Sequence, residues 1–196
     1  MDEQDTVDAT GYTIGGKRYA RVSAIVKFSG LDDFSSIPDG KREYYLKRGT
    51  EAHRLFQMVE EGTADDFDFD PEIEKYRAGH AKFLKDTGFR ALPGGIEMRV
   101  KNDDLGYAGQ VDRIGTMQGR VVLLDYKSGT ITKGGGLQTA LYLRAIPDYK
   151  FDEVDRYIVA IKQNGTYAMS EKYPLSDESD AVFWATKYRE KLQETK

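Results

Sequence analysis

Arg120-Val-Val-Leu-Leu-Asp-Tyr-Lys-Ser-Gly129 is the stretch that fixes how the rest of the chain folds around it. Four apolar residues lead into an aspartate, a tyrosine and a lysine, and a Ser-Gly pair closes the run. A short apolar run bounded by turn residues reads as a buried β-strand. Side chains alternate along a strand, so Asp125 and Lys127 leave one face and Tyr126 the other. Two opposite charges at the tip of a buried strand carry a desolvation cost that a purely structural strand avoids. A second carboxylate, Asp112, lies upstream in a strand of its own, Tyr107-Ala-Gly-Gln-Val-Asp-Arg-Ile-Gly115. The plain alternative is a surface ion pair at a strand end, since Asp-x-Lys tripeptides are common.

Working outward, strands are expected at about 95–102, 107–117 and 119–127, the last two joined by a turn containing Gly119. The glycine-rich segment 129–136 leads into a helix at about 137–146, stopped by Pro147. Strands at about 152–163 and 166–174 follow, joined at Asn164-Gly165, a strong hairpin signal. Ser176-Asp-Glu opens a last helix with Ala181, Ala185, Tyr188 and Leu192 on one side. Towards the N-terminus, Tyr12–Tyr19 reads as a hairpin turning at Gly15-Gly16, and Val22–Phe28 as a short helix ending near Gly30. A loop over 31–40 precedes a helix from Lys41 to about Glu61, interrupted at Gly49-Thr50, with Leu46, Ala52, Leu55, Phe56 and Val59 at helical spacing. After an acidic loop, Asp70-Pro71-Glu72 starts a further helix. Its stripe is Ile73, Tyr76, His80, Phe83 and Leu84, and Gly88 ends it. The order predicts an α/β (α+β) fold, a central mixed sheet flanked by helices with an N-terminal hairpin and a C-terminal helix added. Residues 11–196 are expected to form one domain behind a disordered tail at 1–10.

The 196 residues are 39% hydrophobic and 32% charged, an ordinary globular composition. Cysteine is absent, which excludes disulfides, thiolate zinc sites and an iron–sulfur cluster. No apolar stretch has the length of a membrane span, and the acidic start resembles no signal peptide, so a cytoplasmic protein with no membrane partner is expected. The net charge of −4 does not argue against a nucleic-acid partner, because duplexes are held by local basic patches and bound cations invert the local field.

Chemically, the pattern suits hydrolysis of a phosphodiester. That reaction needs a hard cation on the phosphate, an activated water and positive charge near the transition state. Asp112 and Asp125 are hard oxygen ligands, and the carbonyl of Tyr126 is a further one. Lys127 can orient the water or stabilise charge, with Gln110 supporting Asp112. Gln138 and Tyr142, four apart, share a helix face; the plain alternative is one polar edge residue and one aromatic core residue.

Gly109-Gln-Val-Asp112, Leu124-Asp-Tyr-Lys-Ser-Gly129 and Gln138-x-x-x-Tyr142 together resemble the PD-(D/E)XK nuclease superfamily, and within it the RecB-like exonuclease branch. Arg48-Gly-Thr-Glu-Ala-His53 resembles that branch's helix with a metal-ligand histidine. The hairpin and short helix at the front look like phage-encoded exonucleases of this type. The resemblance implies a restriction-endonuclease-like core over about residues 11–165. It implies Mg²⁺ or Mn²⁺ held by His53, Asp112 and Asp125, with Lys127 as the catalytic lysine. Gln138 and Tyr142 would order the site and the DNA backbone, and Glu97 matches the acidic residue of the first strand, its alternative being a solvent-facing position. The partner would be DNA, with a single-strand-binding or recombination protein as a further one, in recombination, repair or replication. Oligomeric state, strand polarity and metal count stay open.

His53 has a separate physical case. With Thr50 as N-cap it falls in a first helical turn, where the dipole disfavours the imidazolium and leaves a neutral ligand. A capping or surface histidine is the alternative. His80, on an apolar stripe, reads as a packed structural histidine. Arg48 and Arg54, with Lys41, Arg42 and Lys47, suit phosphate contacts or equally a solvated helix face. Asp66-Phe-Asp-Phe-Asp70 fails as a calcium loop because Pro71 stands where glycine is required. Gly134-Gly-Gly136 lacks the Gly-Lys-Ser/Thr of a nucleotide loop, leaving close passage of DNA or simple flexibility. The main expectation is therefore a metal-dependent DNA exonuclease. Its rivals are a non-catalytic DNA-binding or scaffold module on the same fold and a structure-specific endonuclease.

Overall fold

A computed structural model describes residues 5–8, 11–32 and 38–194. The chain is α/β, with helices on both faces of a mixed central sheet. The strands are β1 (Thr6–Asp8), β2 (Gly11–Ile14), β3 (Lys17–Arg21), β4 (Arg90–Asn102), β5 (Tyr107–Met117), β6 (Arg120–Lys127), β7 (Val154–Ile161) and β8 (Tyr167–Met169). The helices are α1 (Val22–Ser29), α2 (Asp39–Glu61), α3 (Pro71–Thr87), α4 (Gly135–Arg144) and α5 (Asp177–Glu194), with a 3-10 turn at Ala64–Asp66. One path through the sheet runs β1-β2-β3-β5-β6-β7-β8, and β4 lies against the other edge of β5.

Alternation along β6 divides the core in two. Leu123 packs with Val22 and Ile25 of α1, Leu137 and Leu141 of α4 and Ala181 of α5. Leu124 and Tyr126 pack with Leu55 and Phe56 of α2 and Ile73 and Phe83 of α3 on the opposite side. Each of the Val, Leu, Ile and Phe side chains among them contributes roughly 1.5–3 kcal/mol. The sheet is thus sandwiched, as continuous apolar runs require.

The register at β5 positions everything that follows. Antiparallel β4 pairs with β5 along one edge, from Asn102↔Tyr107 to Arg90↔Thr116. The other edge is shared. Parallel β3 takes Tyr107 and Ala108, and antiparallel β6 takes Arg113 to Met117. Among the described residues no strand pairs with 109–112 on that edge. The β5–β6 hairpin turns on Gln118 and Gly119, whose φ values of 51° and 79° give the two-residue left-handed turn that matches strand twist. Past Leu124, β6 leaves β5 but stays paired with β7 up to Lys127↔Ala160.

Several elements depart from the sequence-based expectation. The tail is not wholly disordered: Thr6–Asp8 pair with β2, and Asp8 accepts from Gly11 N at 3.0 Å and Arg18 at 2.6 Å. These exposed residues are held by main-chain pairing and side-chain bonds, not burial; residues 1–4 and 9–10 lie outside the described residues, as do 33–37 of the expected loop. Helix α2 is unbroken through Gly49 and Thr50. Thr50 is no N-cap, because its hydroxyl donates back to the Leu46 carbonyl at 3.1 Å, as a mid-helix threonine does. Leu46 is 65% exposed and belongs to no core. Strand β4 starts at Arg90, ahead of the expected 95, and passes through a register shift between Ala91 and Ile96. Strand β8 is three residues, well short of 166–174. The Asp70 side chain accepts from Glu72 N, and Gly88 closes α3 in the left-handed region, both as expected. Among the described residues no helix is long and apolar enough to cross a membrane.

Candidate metal centre

The β5–β6 ladder ends at Arg113↔Leu124, so the next cross-strand position belongs to Asp112 and Asp125. The two carboxylates stand at the fork where the strands separate. Asp112 replaces the lost ladder bond, since its Oδ2 accepts from the Tyr126 N–H at 2.6 Å. Both are buried, Asp112 at 7% and Asp125 at 2% exposure, so neither is a surface ion pair.

From α2, His53 brings Nδ1 to 3.6 Å from Asp112 Oδ1. Glu97 arrives from β4. One ligand atom each from His53, Glu97 and Asp112 lie within 4.8 Å of one another. Glu97 is therefore no solvent-facing strand residue. Its φ of 50° is left-handed, a conformation uncommon for non-glycine residues and concentrated at functional sites. Gln110 supports this group through Glu97 and not through Asp112: its amide nitrogen donates to the Glu97 carbonyl at 3.2 Å.

Asp125 stands outside the tight triad. Its Oδ2 lies 2.6 Å from Lys127 Nζ, and its Oδ1 accepts from Gln138 Nε2 at 2.7 Å. Gln138 also accepts from Lys127 at 3.0 Å and donates to the Tyr142 hydroxyl at 3.2 Å. Gln138 and Tyr142 thus order Asp125 and Lys127, while Tyr142, at 7% exposure, is a packed residue with little surface to offer a ligand. Gly109 makes the room: a Cβ there would sit 2.7 Å from the Tyr142 ring. Gly134, Gly135 and Gly136 serve packing too, because added Cβ atoms would meet Val26 and Asp32, Ile158 and Tyr173, and Asp177. They let the start of α4 lie against the sheet, a packing role that the sequence did not announce.

The electrostatics follow from burial and crowding. Burial opposes the His53 imidazolium, but Asp112, Asp125 and Glu97 together hold its pKa above the ordinary value. The first-turn dipole argument for a neutral His53 fails, because the residue lies deep within α2. Burial likewise opposes the Asp112 anion, yet His53, Lys127 and the Tyr126 N–H bring its carboxyl below the usual range. Asp125 goes the other way: burial and the neighbouring Asp112 push it up to about 6 against the pull of Lys127. Burial and Asp112 also raise Glu97. Lys127 stays an ammonium, since Asp125, Asp112 and Asp32 outweigh the cost of burying it.

Sequence reading missed what stands behind the triad. Arg113, next to Asp112, is fully buried. Its Nε lies 2.9 and 3.0 Å from the two Glu60 oxygens, and another guanidinium nitrogen donates to Glu97 Oε1 at 2.9 Å. His80, also fully buried, lies 3.0 Å from Glu60 and stacks on Phe56, so it is the packed structural histidine expected. The missed signal is a charged residue in a strand with buried neighbours on both sides, and nothing local names its partners. Tyr126 packs its ring beneath Arg113 and against Phe56 and Phe83, while its main chain lies in the ladder with β7. Arg48 and Arg54 do not converge on the carboxylates: their guanidinium groups lie over the rings of Tyr45 at 4.9 Å and Phe67 at 4.1 Å.

The donor set of one imidazole and clustered carboxylates suits a divalent cation that accepts oxygen and nitrogen ligands. The charge fits as well. Lys127 neutralises Asp125 and Glu60 neutralises Arg113, which leaves Glu97 and Asp112 as two negative charges beside an imidazole. No family model and no curated protein matches this chain.

Proposed function

We propose that the protein is a metal-dependent deoxyribonuclease of the PD-(D/E)XK superfamily, RecB-like branch, that removes nucleotides near DNA ends as an exonuclease. The observation that carries this reading is the pairing of Asp112 with Asp125 at the fork of β5 and β6, with His53 beside the first and Lys127 beside the second. A mixed sheet flanked by helices supports a restriction-endonuclease-like core around it.

His53, Glu97 and Asp112 would hold Mg²⁺ or Mn²⁺, with Asp125 and the Tyr126 carbonyl completing the ligand set; the imidazole tilts the preference towards Mn²⁺. The cation supplies Lewis-acid polarisation of the phosphodiester when bound. Lys127 holds positive charge where the phosphoryl oxygens become more negative, and Asp125 fixes its ammonium. Gln138 keeps both oriented by bonding each with a different atom of one amide. Arg48 and Arg54 on α2 are the candidate phosphate contacts, their guanidinium groups already held over aromatic rings.

The test is digestion of end-labelled linear DNA with Mg²⁺ or Mn²⁺ by wild type, Asp125→Ala and Lys127→Ala. Loss of product by both variants is expected, and unchanged digestion by either refutes the assignment. Covalently closed circular DNA in the same assay should stay intact; its cleavage would replace exonuclease with endonuclease.

A further inference from the structure

The buried charges behind the candidate metal centre have no task in the reaction as described. Arg113 and His80 are fully buried, and the Glu60 side chain is 6% exposed. Ion pairs in such surroundings are costly to desolvate and are often no better than apolar packing. This one has a particular shape. The planar guanidinium spans two acids on different elements: Glu60 on α2, held through both oxygens, and Glu97 on β4, held through one. A fourth bond goes to the main-chain oxygen of Asp112. Glu97 itself sits in a left-handed backbone conformation that Gln110 pins by its carbonyl. Without a partner, a glutamate with free rotamers would leave the triad easily, since holding such a side chain in one place has an entropic cost.

We propose that Arg113 is a positioning residue: anchored by Glu60, it fixes the Glu97 carboxylate beside His53 and Asp112 and so sets the centre's affinity for a divalent cation. A carboxylate has two oxygens, so Glu97 can give one to Arg113 and the other to an ion. A lysine could not do the same work, because an ammonium is a point charge without the fork that reaches two acids at once. The inference rests on the metal-centre reading above.

The experiment is calorimetric titration of Mn²⁺ into wild type, Arg113→Lys, Glu97→Gln and the double variant, with thermal melts as the check on folding. Arg113→Lys keeps the charge opposite Glu60, so the chain should fold. Its Mn²⁺ affinity should drop by about 10–100-fold, the usual effect of removing a residue that orients a metal ligand. Glu97→Gln should fall by at least as much, and the double variant should bind no more weakly than Glu97→Gln alone, because the only ligating side chain that Arg113 bonds is Glu97, its contact with Asp112 being to the main chain. Wild-type affinity in Arg113→Lys or in Glu97→Gln, or losses that multiply in the double variant, would overturn the proposal. Failure of wild type itself to bind Mn²⁺ would instead overturn the metal-centre reading.

Discussion

The amide of Gln138 is divided between opposite charges: its oxygen accepts from Lys127 at 3.0 Å, while its nitrogen donates to Asp125 at 2.7 Å. An amide is uncharged and offers a donor and an acceptor side by side. A carboxylate here would repel Asp125, and an ammonium would repel Lys127.

Gln138→Ala should therefore lower kcat of the proposed nuclease by about 10–100-fold, with a smaller effect on KM, because it frees the two side chains to which the proposal gives the chemistry. Steady-state digestion of a short labelled duplex measures it. A change confined to KM would place Gln138 on the DNA and not behind the site.

Mn²⁺ should bind with a stoichiometry of one per chain, matching the two unneutralised charges of Glu97 and Asp112. Protons compete for the same groups. His53 is held above its ordinary value and Asp125 lies at about 6, so affinity should fall progressively as pH is lowered through 6. Titration at several pH values, in buffers of different ionisation heat, reads both stoichiometry and proton release. Two tight sites, or an affinity flat from pH 8 to pH 5.5, would contradict the charge count.

Gly109→Ala should destabilise the fold by ~1–3 kcal/mol, since the new methyl would press on the buried Tyr142 ring and on Val22. For a chain of this length each kcal/mol lowers Tm by about 2–4 °C. Scanning calorimetry gives the number. An unshifted Tm would mean that Tyr142 moves aside without cost.

His80 is predicted to contribute to acid sensitivity. Burial depresses its pKa below the ordinary 6.5, with Arg113 adding to the effect and Glu60 opposing it. In the window between the depressed value and 6.5 the unfolded chain binds more protons than the folded one. Stability present above 6.5 is thus lost as pH falls through that window. Urea titrations of wild type and His80→Gln at pH 7.5 and 5.5 should show a smaller acid loss in the variant. Equal losses would assign the acid sensitivity to the carboxylates.

Local rules made much of this fold readable. Gly15-Gly16, Asp70-Pro71 and Asn164-Gly165 announce turns and a helix start through backbone preferences that depend on few neighbours. The carboxylates and the lysine were readable because they interrupt or end apolar strands. What stayed hidden depends on distant partners. Gly49-Thr50 looks like a break, but a glycine costs a long helix only about 1 kcal/mol, and α2 absorbs it. Strand β1 has almost no apolar signal because main-chain pairing and the polar bonds of Asp8 hold it, not burial. Glu97 and Arg113 gain their roles from the bulge in β4 and from Glu60, which is 53 residues away from Arg113 in the chain.

The hairpin at Gln118-Gly119 has a bearing on chemistry that it never touches. Asp112 lies six residues before Gln118 and Asp125 six after Gly119, so the turn works as the zero mark of a ruler laid along both strands. One residue inserted there would slip the count by one and swing half the ruler to the opposite side of the sheet. The length of a solvent-facing corner is thereby bound to the same constraint as the acids themselves.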